Sequence, residues 1–155
     1  MGSQTIKARP AKPATRYEDD LFTWVWEQVA LLRSGRLTEV DGVNVAEELS
    51  DVGNELYFRL ESSFAVLTQH LLNWDHQPQR RSRSWQISVR EQRRRIARLL
   101  KKSPGLKSEL NEAIEAGYED GRGRAILETK MKDEAFPEKC PYTFEEMMTS
   151  VIEIE

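Results

Sequence analysis

Apolar residues recur along this chain at intervals of three and four, and no stretch alternates apolar and polar over the length of a strand. That period is the one an α-helix needs to gather its apolar side chains on one face. The pattern predicts a first helix from Arg16 to about Ser34, with Tyr17, Leu21, Trp24, Val25, Leu31 and Leu32 on a shared face. Thr15 and Glu18 have the spacing of a capping box at its start, and Gly35 stands where a C-terminal cap belongs. A second helix begins near Asp41 or Asn44 and runs to about Trp74, since Val45, Leu49, Val52, Leu56, Leu60, Phe64, Leu67 and Leu71 form one continuous stripe. Pro78 ends it.

Ser82 or Ser84 can cap a third helix that continues through Lys102, with Trp85, Val89, Ile96, Leu99 and Leu100 along one arc. Ser103 and Pro104 read as the start of a fourth, whose face holds Leu106, Leu110, Ala113, Ile114, Gly117 and Gly121. Gly121 and Gly123 weaken its later part, each costing about 1 kcal/mol relative to alanine. Gly117 and Gly121 also suit a close approach of two helices. Pro137 and Pro141 bracket a loop, after which Thr143 and Glu146 cap a short last helix. The expected fold is all-α: a helical bundle of four main helices plus a short C-terminal one. One domain over residues 16–155 would follow a disordered basic arm at residues 1–15, which is polar and carries Pro10 and Pro13.

Composition narrows the classes. The chain has 155 residues, enough for one core. No uninterrupted apolar run is long enough to span a bilayer or to serve as a secretory signal core, so no membrane association is expected. A single cysteine, Cys140, supports neither a disulfide scaffold nor a thiolate zinc site, and the expected compartment is a reducing cytoplasm. The formal charge of −3 conceals a segregation. Arg80 to Lys102 holds ten basic residues against the one acid Glu91, while residues 17–79 hold twelve acids against three bases. Residues 103–155 are acidic again, with thirteen acids against six bases.

Three groups of residues are candidates for function. Arg80, Arg81, Arg83, Arg90, Arg94 and Arg98 could form an anion-binding surface, for nucleic acid or an acidic partner. The favoured alternative is a solvated face whose flanks pair with the acidic second and fourth helices. Nucleic acid is the less favoured partner, because the whole chain is negative. Phe22, Trp26 and Val29 form a second apolar strip on the first helix, away from its main face. It suits a bundle neighbour, a protein partner or self-association. Glu48, Glu55, His70, Asp120 and Arg124 would make a polar interhelical cluster if they converged, with Asp120 and Arg124 four apart as a desolvated ion pair. Two histidines in all, neither three residues after a glutamate, give no metal motif, and no metal or other cofactor is expected. No phosphate loop, nucleophile elbow or dinucleotide fingerprint is present, so no catalytic residue is assigned. The expected role is a protein-interaction module, with anion binding and an enzyme around the polar cluster as alternatives.

Several segments together are similar to one bacterial family. They are Tyr17-Glu18-Asp19-Asp20 with Trp24, Val45-Ala46-Glu47-Glu48-Leu49 and His70-Leu71-Leu72-Asn73-Trp74. Arg80-Arg81-Ser82-Arg83-Ser84-Trp85, Arg90-Glu91-Gln92-Arg93-Arg94-Arg95-Ile96, Ser103-Pro104 and Cys140-Pro141-Tyr142-Thr143 complete the set. Over about residues 17–147 the chain resembles the domain of unknown function twenty-nine family, common in cyanobacteria and proteobacteria. The resemblance implies a small all-α domain without an established activity, substrate or cofactor, and so carries over no catalytic residue.

Overall fold

The computed structural model describes residues 14–154, and residues 1–13 of the expected basic arm lie outside the described residues. The described residues are helical with no strand. The five α-helices are α1 (Leu21–Arg33), α2 (Gly42–His76), α3 (Arg83–Lys102), α4 (Leu110–Thr129) and α5 (Phe144–Thr149). The chain divides into two compact units at Val52 and Gly53, within the uninterrupted helix α2.

In the first unit α1 starts five residues later than predicted, at Leu21 rather than Arg16. Asp20, not Thr15, is the cap, and its carboxylate accepts from the Thr23 backbone N–H at 3.0 Å. Thr15 instead gives both its N–H and its hydroxyl to Glu27, each at 2.9 Å. The difference has a physical reason: aspartate is at least as good a cap as threonine, and Thr15 has a long-range acceptor. At the other end Gly35 takes a left-handed φ of 72° after the Ser34 cap, as expected for a helix stop. Trp24 is buried with Tyr17 edge-on against it at 5.0 Å. The buried Gln28 accepts the Asp41 N–H at 2.8 Å, and the Tyr17 hydroxyl donates to Glu48 at 2.7 Å. That hydrogen bond favours the protonated phenol and pushes its pKa up to about 12. Asp41 also holds the start of α2, accepting from Asn44.

The second unit has an apolar core. Leu60, Phe64, Leu67 and Leu71 of α2 meet Val89, Ile96 and Leu100 of α3, Ala113 and Ile114 of α4, and Met147 of α5. Ser82 caps α3, and Thr143 with Glu146 forms a complete capping box on α5. Ser103 and Pro104 open a 3₁₀ segment, Pro104–Glu109, rather than α4 itself, and Ser103 makes no side-chain cap bond. The expected weakness of late α4 does not appear, since the helix continues through Gly121 and Gly123 to Thr129. Packing supplies the reason. A Cβ on Gly117 would stand 2.7 Å from Phe64 Cβ, and one on Gly121 2.5 Å from the Ala65 carbonyl oxygen. Only bare backbone lets α4 lie this close to α2, and the contact offsets the intrinsic cost of glycine.

Candidate functional site

Helix α3 sorts its basic residues into two sets. Arg93 is half-buried and structural: it donates to the Met147 carbonyl at 2.7 Å and to Ser150 Oγ at 2.8 Å. Burial pushes its guanidinium pKa down, as desolvation of a cation must. Arg95 pairs with Glu91 one turn back on the same helix. Arg90, Arg94 and Arg98, by contrast, are exposed, and among the described residues no carboxylate lies within ion-pair distance of them. Arg80 and Arg83 are likewise exposed and unpaired among the described residues. Arg81 lies over the Trp74 ring at 4.9 Å and donates to the Trp74 carbonyl at 3.0 Å. Trp74 itself is buried, so it offers no open face on which a base could stack. The favoured expectation had this face pairing its flanks with the acidic helices. Among the described residues no ion pair joins these flanks to α2 or α4, and the partners found are a backbone carbonyl, a serine and Glu91.

On α1, Phe22 is 75% exposed and Trp26 56% exposed, with their rings edge to face at 6.5 Å. Val29 beside them is half-buried. Every position of α2 from Leu49 to Glu55 is also exposed, including the apolar Leu49 and Val52.

Four of the five polar cluster residues have partners of their own outside any shared site. Glu48 lies in the first unit and accepts from Tyr17. Glu55 binds Arg59 one turn along α2. It precedes His70 by fifteen residues, a rise of about 22 Å on a helix. Asp120 and Arg124 do pair, at 2.7 Å, but their side chains are 52% and 44% exposed. The pair is therefore solvated, and the expected desolvation is corrected: both side chains reach off α4 into water. His70 is mostly buried with Nδ1 lacking a partner, and burial pushes its pKa down, opposed by the charge of Glu128. Among the described residues no three histidine, cysteine or carboxylate side chains converge as a metal site would require.

Residues 16–151 match the family model described as Domain of unknown function DUF29. The chain belongs to that family. Among curated proteins and among solved structures, nothing matches the chain. Family membership accordingly brings no residue roles. Among the described residues no helix is long and apolar enough to cross a membrane.

Sequence reasoning missed a polar contact near the end of α4. Glu128 Oε2 accepts from Gln69 Nε2 and Asn73 Nδ2, each at 2.7 Å. Asn73 is fully buried, and its Oδ1 has no partner. An asparagine between Leu72 and Trp74 on a buried stripe was the available signal. The loop after α4 frames an open cleft of about 1110 Å³ beside Tyr118, Arg122 and Cys140. Arg122 holds that loop by donating to the carbonyls of Asp133 and Phe136, and Tyr118 by donating to that of Pro137. Cys140 is half-buried, which pushes its thiol pKa up and makes it a poor nucleophile at neutral pH.

Proposed function

We propose that this chain is a cytoplasmic protein-interaction module that works by self-association. The observation that carries the reading is the exposed aromatic pair Phe22 and Trp26 on α1. Two large aromatic side chains standing together in water mark a surface that gains by being covered. Exposed Leu49 and Val52 on α2 extend the apolar area available to such contacts. The test is sedimentation equilibrium over a wide concentration range. The wild type should gain mass with concentration, and replacing Phe22 and Trp26 by serine should weaken that association. A mass that stays at one chain throughout would remove the reading.

A second reading, anion binding by the arginine-rich segment, is favoured by one specific observation: Arg90, Arg94 and Arg98 are exposed without a carboxylate among the described residues. Binding to generic single- and double-stranded nucleic acid, titrated with salt, tests it. Affinity should fall steeply with salt, with a smaller slope after all three arginines become alanine. Absence of binding at low salt would end it.

A further inference from the structure

Two exposed ladders of opposite sign have the same spacing. Glu47, Asp51 and Glu55 follow one another at intervals of four along α2, all exposed. Arg90, Arg94 and Arg98 do the same along α3, also exposed. On a helix each interval advances about 6 Å and turns about 40°, so each ladder occupies an arc of about 80°. The α3 ladder faces away from Val89, Ile96 and Leu100, which are buried in the core. One large apolar residue sits within each arc: Phe58 follows Glu55 by three, and Ile87 precedes Arg90 by three. Both are more than half exposed.

We infer that a second copy of this chain docks its α2 ladder antiparallel on the α3 ladder of the first, setting Glu47 against Arg98, Asp51 against Arg94 and Glu55 against Arg90. The same register sets Phe58 against Ile87 at the end of the run. The charges are complementary rung for rung, and the apolar pair closes one end. Because each chain carries both ladders, a two-fold arrangement makes the contact twice, with each copy donating an acidic helix face and receiving one. Glu55 brings its neighbour Arg59 to the last rung, so that rung is shared between two arginines. Glu47, Asp51, Arg94 and Arg98 have no ion-pair partner among the described residues, so docking breaks no existing pair there. Antiparallel helices with matched opposite charges gain register and partner choice from such rungs more than raw affinity.

The inference rests on the self-association reading and adds to it a second, charged contact between the same two copies. Charge reversal tests it. Glu47→Arg with Asp51→Arg makes one variant, and Arg94→Glu with Arg98→Glu makes another. Each alone places like charges on every rung it touches and should raise the dimer dissociation constant roughly a hundredfold. An equimolar mixture of the two should regain wild-type association as a heterodimer, because every altered rung is again complementary. All four changes in one chain should restore the homodimer, which guards against loss of association through misfolding. Wild-type association should also weaken as salt rises. A wild type that dimerises, with variants that dimerise equally well and mixtures that gain nothing, would overturn the ladder and leave self-association through Phe22 and Trp26 standing. A wild type that stays monomeric at every concentration would overturn both, and the arginine stripe would then be free for a foreign anion.

Discussion

The two units of this molecule hold themselves together by different means. Among its described residues the first buries one tryptophan and one glutamine, and its ties are hydrogen bonds: Tyr17 to Glu48, Asp41 to Gln28, Thr15 to Glu27. The second buries leucines, isoleucines, a valine and aromatics from four helices, with glycines in α4 admitting α2 at backbone distance. A hydrogen bond exchanges protein partners for water and contributes about 1 kcal/mol net, whereas a buried leucine or phenylalanine contributes about 2 or 3. The second unit is therefore the stable body, and the first is the region expected to open locally at lower free energy. That first unit carries the exposed aromatic pair, so the less stable region also offers a surface for contact.

The comparison breaks most sharply at two aromatic residues. Phe64→Ala empties the middle of the larger core, and a loss of about 3–5 kcal/mol is expected in denaturant unfolding of the whole chain. Trp24→Ala should instead act locally. Amide exchange should quicken in α1 and the first turns of α2, with protection in α3 and α4 unchanged. If Trp24→Ala lowers protection in α3 and α4 as much as in α1, the two regions unfold as one and the contrast between them fails.

Next in size is the glycine contact. Gly121→Ala puts a Cβ against backbone, the Ala65 carbonyl, which has no rotamer through which to retreat. About 1–3 kcal/mol should be lost from the thermal unfolding free energy. Gly123→Ala, two residues on with open space around it, should move the other way by about 1 kcal/mol. Equal effects at the two positions would mean that close packing is not what holds α4 in place.

These pairs also show what was legible in the sequence. Periodicity alone located α2 and α3, and the Ser82 cap, the Gly35 stop and the Thr143–Glu146 box follow from residue chemistry confined to a few neighbours. The start of α1 was misplaced because two caps compete there, and Thr15 was claimed by Glu27, twelve residues away. Late α4 was underrated for a related reason: propensity is a local quantity, and the contact that rescues Gly121 comes from α2. The arginine stripe was visible as a face, but a helical period does not say which element lies opposite it. Glu128 was invisible as a partner, since Asn73 and Gln69 reach it across fifty residues and more of chain.

A smaller effect concerns the hydrogen-bonded first unit alone. The Tyr17 phenol has its pKa raised from 10.0 to about 12, chiefly by its hydrogen bond to Glu48. The folded state thus holds the proton more tightly than the unfolded one. Its contribution is complete below the unfolded value of 10.0 and is lost as pH rises toward about 12. Local exchange in α1, normalised for the intrinsic rate, should therefore rise over that alkaline window. Tyr17→Phe should abolish the dependence and remove a phenolate absorbance step centred near pH 12. A pH response that survives in Tyr17→Phe would place it in some other group.

The smallest expected effect falls at the boundary itself. Gly53 lies inside α2, at a normal helical φ, with nothing within 4 Å of where a Cβ would be. An exposed interior glycine of this kind costs a helix about 1 kcal/mol relative to alanine, through backbone entropy in the unfolded chain. Gly53→Ala should therefore slow amide exchange between Leu49 and Glu55, where every side chain is exposed and packing adds little. By helical rotation residue 53 lies about 160° from Asp51, away from the centre of the acidic ladder. The same substitution should thus leave the sedimentation of the wild-type assembly unchanged. Faster exchange in Gly53→Ala would mean that α2 needs to bend there. Weaker association with slower exchange would place the partner on the opposite side of α2, along Leu49 and Val52, and would move the contact surface from the charged face of this helix to its apolar one.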